Sequence, residues 1–241
     1  SDVCSSDLIG KRQALVSSND RSKAALDELA ERALAMAKTV PEDPFCGLAD
    51  PAELARAIPD LDICDPVEPA AEVLIERAAA AEDAAREVRG VTNSEGSEAG
   101  WSRSHVVLAA SNGFTGTYEG SGHSVSVAVL AGEGTGMERD YDFSSAVYAA
   151  DLENPTTVGT RAGERAVKRL KPRKVASQKV PVIYDPRVSA GLVGHFSGAI
   201  SGASIARGVS FLKDRMGEAV FARGINIIDD PHRLRGLRSK P

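Results

Sequence analysis

The segment His123-Ser-Val-Ser-Val-Ala-Val-Leu130 decides the fold class of this chain, because its residues alternate between apolar and small side chains. Its three valines fall on one face of an extended strand, and Ser124, Ser126 and Ala128 fall on the other. A period of two is typical of a β-strand with one buried face. We therefore expect a strand whose valine face packs against the rest of its domain.

Neighbouring segments have the same period and are separated by turn signals. Strands are predicted over residues 102–110, around Phe114 and Tyr118, and over residues 137–148. Ser111-Asn112-Gly113 is a turn signal between two of them, because Asn and Gly tolerate positive φ. Strands joined by short turns form an antiparallel meander and need no crossover helices.

Helical periodicity lies on both sides of this meander. It predicts helices over residues 20–38, 69–88, 154–170 and 187–206, with Asn154-Pro155 and Asp185-Pro186 as start signals. Residues 41–69 are rich in proline and are interpreted as an irregular connector. Short strands are predicted over residues 9–16, 180–184 and 224–229. The fold class is α+β: an N-terminal domain of helices packed on an antiparallel sheet, followed by the start of a second, β-rich domain.

The domain boundary is placed at the linker Lys171-Pro172-Arg173-Lys174. Residues 9–170 are interpreted as the N-terminal domain and residues 171–241 as the beginning of the C-terminal domain. The chain has no initiator Met and ends at Lys240-Pro241, so we expect a protein truncated at both ends.

Residues 1–8 are interpreted separately. The DNA string TCAGACGTGTGCTCTTCCGATCT, part of a common sequencing adapter, translates to Ser-Asp-Val-Cys-Ser-Ser-Asp-Leu when its last partial codon is completed as Leu. That peptide matches the chain from Ser1 to Leu8 at every position. We interpret these residues as an assembly artefact and exclude them from the fold argument. Native genomic DNA that encodes them would contradict this interpretation.

Composition excludes several classes of function. The formal net charge is −5, from 29 basic and 34 acidic residues, which argues against direct nucleic-acid binding. No apolar run reaches the roughly 18 residues of a membrane span, and no signal peptide is visible. The three cysteines have neither metal-ligand spacing nor the number for a disulfide framework. A cytoplasmic location is the simplest expectation.

The histidines do not form a metal motif. His105, His123, His195 and His232 each lack a second His or Cys at ligand spacing. His105 and His123 are interpreted as half-exposed structural residues of strands. Nucleophile-elbow and phosphate-loop patterns are also absent.

Two groups of carboxylates allow more than one interpretation. Alternation places Glu138, Asp140 and Asp142 on one strand face, and Asp229 and Asp230 are adjacent. A solvated face is the simpler interpretation, and an active site or ion site is the alternative, although no partner base supports it. The residues alone therefore define an α+β protein without a recognisable catalytic constellation.

Several stretches together resemble the TldD/PmbA family, and its TldE/PmbA branch in particular. Their order and spacing carry the resemblance, which runs over nearly the whole chain from about Ile9. They are residues 90–96 (GVTNSEG) with Trp101, 111–116 (SNGFTG), 131–134 (AGEG), 137–141 (MERDY), 163–166 (GERA), 182–186 (VIYDP) and 206–212 (ARGVSFL).

The resemblance implies a two-domain fold and a heterodimer of TldD with TldE that degrades peptides. The family is linked to microcin maturation and to gyrase-directed toxin systems. Its TldD branch carries zinc on a helix with the pattern His-Glu-x-x-x-His. In this chain His195 retains the first position, but Phe196 and Ile200 occupy the Glu and second His positions. Phenylalanine cannot act as a base and isoleucine cannot bind zinc, so we assign no catalytic or metal residue here.

The leading hypothesis is a non-catalytic, TldE/PmbA-like subunit of a heterodimeric TldD-type zinc metalloprotease that acts on unfolded peptides. Zinc is expected in the TldD-like partner and not in this chain. The expected partners are that subunit and a peptide substrate, without nucleic acid or membrane. The alternative is a binding module that modulates gyrase or a toxin–antitoxin system and has no protease role.

Overall fold

The computed structural model describes residues 3–241 and confirms an α+β fold of helices and antiparallel sheets. The chain divides into two compact units. The first unit comprises the residues up to Ile58 together with the separate segment His105–Tyr118. The second unit comprises Pro59–Ser104 and Glu119–Pro241. The strands are β1 (Val3–Ile9), β2 (Arg12–Ser18), β3 (Val91–Ala109), β4 (Thr115–Ala131) and β5 (Glu138–Ala146). The helices are α1 (Lys23–Thr39), α2 (Ala71–Arg86), α3 (Pro155–Arg169), α4 (Pro186–Ile200) and α5 (Gly202–Ala206).

In the first unit, α1 packs on an antiparallel hairpin of β1 and β2. Leu29, Ala33 and Ala37 form the buried stripe of α1, as its periodicity predicts. The strand predicted over residues 9–16 is confirmed for residues 12–16, which lie in β2. Its start is wrong, because Gly10 has a φ of +59° and turns the chain between β1 and β2. Residues 3–8, assigned above to the adapter, lie in β1, and Ser1 and Asp2 lie outside the described residues.

The second unit contains residues 91–104 of β3, residues 119–131 of β4 and all of β5. In this sheet β4 is the central strand. Strands β4 and β5 are antiparallel, with Val127 opposite Asp142. The valine face of β4 is buried as predicted, and it packs against α2 and α3. The core consists of Ala81, Ala85, Val125, Val127, Val129, Ala131, Val158, Ala162 and Ala166.

Helices α2 and α3 approach each other closely because two glycines of α3, Gly159 and Gly163, face α2. A Cβ on Gly159 would lie 2.0 Å from the carbonyl oxygen of Ala81, and one on Gly163 would lie 2.8 Å from that of Ala85. The alanine-rich stripe of α2 therefore packs on a helix as well as on the sheet.

The region after α3 differs from the prediction. Residues 180–184 and 224–229 are not strands, because no described segment pairs with them and an unpaired strand leaves its backbone groups without partners. The predicted helix over residues 187–206 is interrupted at Ser201, between α4 and α5. Among the described helices, none is long and apolar enough to cross a membrane.

Candidate functional site

Helix α4 carries His195, Phe196 and Ile200, the three residues that the family resemblance predicts at the positions of the zinc motif. It starts where predicted: the Asp185 side chain accepts a hydrogen bond from Arg187 N at 2.9 Å, and Pro186 is the first helical residue. His195 is exposed on this helix. Ile200 is 51% exposed, so its side chain is not part of a packed site.

Phe196, which the resemblance predicts at the position of the general base, makes an apolar contact in the structure. Its ring makes an edge-to-face contact with Phe221, with 5.2 Å between ring centroids and 72° between planes. One turn further on, the Ala199 carbonyl oxygen accepts a hydrogen bond from Ser210 Oγ at 2.6 Å. These two contacts tie the C-terminal half of α4 to the segment that follows it.

The residues of α4 do not fit a zinc ion. A protein zinc site needs at least three nitrogen, sulfur or oxygen ligands around one point. Within residues 3–241, no group of three or more His, Cys, Asp or Glu side chains could hold a metal ion. His195 is therefore a single imidazole without companion ligands in the described part of the chain.

The carboxylates of β5 are not a solvated face. Asp140 and Asp142 are each 4% exposed, because their side of the strand faces α3. Asp142 accepts hydrogen bonds from Arg161 Nε and, at 2.5 Å, from Arg165 Nη1. The interpretation of a solvated face is wrong here because arginines one turn apart on α3 compensate the buried charge.

Asp140 joins two different helices. Its Oδ1 accepts a hydrogen bond from Arg187 Nη1 of α4 at 2.9 Å, and its Oδ2 lies 3.5 Å from Arg169 Nη1 of α3. Burial alone would raise the pKa of Asp140, but hydrogen bonds from Arg187 and the Tyr141 N–H and the positive charges of both arginines lower it overall. The carboxylate is thus held ionised as an anchor and is not suited to general acid catalysis.

His123 is buried and not half-exposed, because it shares the valine face of β4. Its Nε2 lies 3.1 Å from Oδ2 of Asp65, but neither ring nitrogen has a partner in hydrogen-bond geometry among the described residues. The period of two, extended back from Val125 to His123, is the signal that could have predicted this burial. His105, in contrast, is exposed and lies 2.7 Å from Thr117 Oγ1.

Asp65, which no sequence pattern indicates, joins the proline-rich connector to the end of the sheet. Its carboxylate accepts hydrogen bonds from Val67 N at 2.9 Å and Ala149 N at 3.0 Å, and these lower its pKa. Its own N–H donates to Ser121 Oγ at 2.7 Å. No local signal marks this residue, because its partners are up to 84 positions away.

The remaining carboxylate pair has only a local role. Asp229 and Asp230 are exposed, and Asp230 Oδ1 accepts a hydrogen bond from His232 N at 3.0 Å. The buried ion pairs of the second unit are those of Asp140 and Asp142 with arginines. Its helix α4 carries the single imidazole of His195.

Comparison with known protein families gives two adjacent matches. Residues 64–170 match the PmbA/TldA metallopeptidase central domain, and residues 177–241 match the PmbA/TldA metallopeptidase C-terminal domain. The sheet β3-β4-β5 with α2 and α3 lies in the first match, and α4 lies in the second.

The chain is 38% identical over 231 residues to the metalloprotease PmbA of Escherichia coli O157:H7. That alignment covers 95% of this chain and 51% of the relative, so the chain spans about half the length of the curated relatives it matches.

Two solved structures share the fold. A crystal structure described as a modulator of DNA gyrase from Bacteroides thetaiotaomicron superposes with a TM-score of 0.81 at 26% identity, over 95% of this chain and 53% of that one. TldE from Thermococcus kodakarensis superposes with a TM-score of 0.64 at 22% identity, over 88% of this chain and 48% of that one.

These matches define a metallopeptidase-type central domain over residues 64–170 and metallopeptidase-type C-terminal domain sequence over residues 177–241. The chain belongs to the PmbA/TldD family.

Proposed function

We propose that this chain is the non-catalytic, TldE/PmbA-like subunit of a heterodimeric metalloprotease whose zinc is held by a TldD-like partner. One observation carries the proposal: α4 retains His195, but Phe196 is packed on Phe221 and Ile200 is exposed where a base and a second ligand would stand. A protease-family scaffold without ligands on the relevant helix fits a supporting subunit better than an independent enzyme.

The proposed substrate is an unfolded peptide, including precursors of microcin type. We also propose a cytoplasmic location, where thiols remain reduced. The free thiols of Cys46 and Cys64 support this proposal.

The test is co-expression of this chain with a TldD-type subunit, followed by peptide-cleavage assays of each protein alone and of the mixture. The proposal expects stable co-purification, little cleavage by this chain alone, and cleavage by the pair. Cleavage of an unfolded peptide by the isolated chain, with zinc bound to it, would refute a non-catalytic role.

A second candidate is a module that modulates gyrase or a toxin–antitoxin system without a protease role. The observation that favours it is the structural match to the protein described as a modulator of DNA gyrase. Recovery of gyrase without a TldD-type protein in a pull-down with this chain would support this candidate over the first.

A further inference from the structure

A groove follows strand β3 in the second unit. It consists of two cavities of about 420 and 340 Å³, which share Ser97, Glu98 and Ser126 in their walls. Leu74, Ile75 and Ala78 of α2 line only the larger cavity, and Arg139 and Tyr141 of β5 line only the smaller one. The surface therefore offers both an apolar wall and a polar wall.

Strand β3 is an edge of its sheet, because the strand order is β3-β4-β5. Over residues 92–104, its backbone makes no hydrogen bond to a described segment outside the sheet, but the N–H groups of Ser94 and Gly96 already donate within β3, to Asn93 Oδ1 and Ser94 Oγ, each at 2.9 Å. From Ser97 onward, the outward N–H and C=O groups of this edge can pair with another extended chain. The larger cavity is lined by α2 and by residues 97–100 of β3, and the smaller one lies over a face of the sheet, because residues of all three strands line it. A chain paired at this edge would therefore have space for one side chain toward α2 and for the next toward Glu98.

The two faces of β3 differ in chemistry. Ser97 faces α2, since its Oγ donates a hydrogen bond to the Ala78 carbonyl oxygen at 2.6 Å. Beside it on α2, Ile75 is 67% exposed. Glu98 is next in sequence and so points to the opposite face, where it is exposed and has no hydrogen bond or ion pair with any described residue.

We infer that the outer edge of β3 around Ser97 and Glu98 binds an extended peptide that carries an apolar residue directly next to a basic residue. Successive side chains of a paired strand point to opposite faces. The apolar side chain would therefore contact Leu74 and Ile75, and the adjacent lysine or arginine would lie beside Glu98. This inference rests on the proposed function, because it assigns a surface and a substrate class to the peptide-binding role.

Charge complementarity supports a basic side chain over an acidic one. The other carboxylate of the groove, Glu95, is already paired with Arg139 at 2.5 Å. Glu98 is therefore the carboxylate of this groove that remains available to pair with a basic side chain of a ligand. A contact of this exposed kind is weak alone, so most of the affinity comes from backbone pairing and apolar burial.

The test uses fluorescence anisotropy with a labelled, flexible Gly/Ser peptide of about twelve residues that contains one central Leu-Lys pair. We expect saturable binding that weakens with added salt. A matched probe, N-methylated on alternate backbone nitrogens, should bind about tenfold more weakly, because it cannot pair along an edge. A Leu-Glu probe should also bind more weakly than the Leu-Lys probe.

Variants of the chain then locate the site. Glu98→Lys should weaken Leu-Lys binding by about tenfold, and Ile75→Asp should weaken it by a similar factor. Glu164→Lys is the matched control, since Glu164 is an exposed carboxylate on α3 that does not line this groove, and its affinity should stay unchanged.

Circular dichroism should show that each variant keeps its fold, and the N-methylated probe tests the same surface without any variant. Equal affinity for the methylated and unmethylated probes, or for Glu98→Lys and Glu164→Lys, would overturn the inference. If only this inference fails, the chain should still co-purify with a TldD-type subunit and the pair should still cleave peptides. If the proposed function fails, co-purification and cleavage should be lost as well, so the two failures are distinguishable.

Discussion

Asp140 on β5 and Arg187 on α4 are joined by a hydrogen bond of 2.9 Å between Oδ1 and Nη1. The same guanidinium donates to the Tyr141 carbonyl oxygen at 3.0 Å and lies 5.2 Å from the centre of the Tyr141 ring. Since Asp140 also lies within 3.5 Å of Arg169, one buried carboxylate connects α3, β5 and the start of α4. The helix that carries His195 is therefore fixed to the central sheet through this contact.

Replacing Asp140 by Ala should destabilise the second unit. The variant leaves Arg187 and Arg169 without their common acceptor. Because both arginines are partly exposed, water compensates part of this loss, and we expect the free energy of unfolding to fall by about 2 kcal/mol. Urea denaturation measures it. Glu164→Ala, at an exposed position on α3, is the control and should change stability by less than about 0.5 kcal/mol. Equal effects of the two variants would contradict an anchoring role for Asp140.

The contribution of Asp140 should also depend on pH. Its folded-state pKa lies below the ordinary value, so its ionised form stabilises the fold above the unfolded-state pKa of about 4. The contribution disappears as pH falls through the folded-state pKa. We therefore expect the stability difference between the unchanged chain and Asp140→Asn to be constant above pH about 5 and to shrink in acid. A difference that grows as pH falls would contradict this assignment.

Gly159 should be intolerant of any side chain. A Cβ there would lie 2.0 Å from the Ala81 carbonyl oxygen, so Gly159→Ala must push α2 and α3 apart. We expect a loss of about 3 kcal/mol, measured by thermal or urea denaturation. The control is Gly194→Ala in α4, where an added Cβ meets nothing within 4 Å. That change should stabilise α4 by about 0.5–1 kcal/mol, because alanine is the better helix former.

The features that local chemistry determines could be predicted from the sequence. The starts of α3 and α4 follow from Asn154-Pro155 and Asp185-Pro186, since a side-chain acceptor and a proline act within one turn. The buried face of β4 follows from the alternation of its valines.

Features that depend on distant partners could not be predicted in the same way. The ion pairs of Asp142 join residues 19 and 23 positions apart, and that of Asp140 with Arg187 joins residues 47 positions apart. A carboxylate on a strand has the same local pattern whether water or an arginine faces it. For the same reason, the sequence pattern of residues 180–184 favoured a strand although no strand of residues 3–241 pairs with them.

The measurement that tests the central claim most directly is the zinc content and peptide-cleavage rate of the complex with a TldD-type subunit, before and after His195→Ala. The account predicts about one zinc ion per heterodimer and a cleavage rate within about twofold of the unchanged complex, because a lone imidazole does not make a zinc site. Loss of zinc or of cleavage on replacing His195 would contradict it.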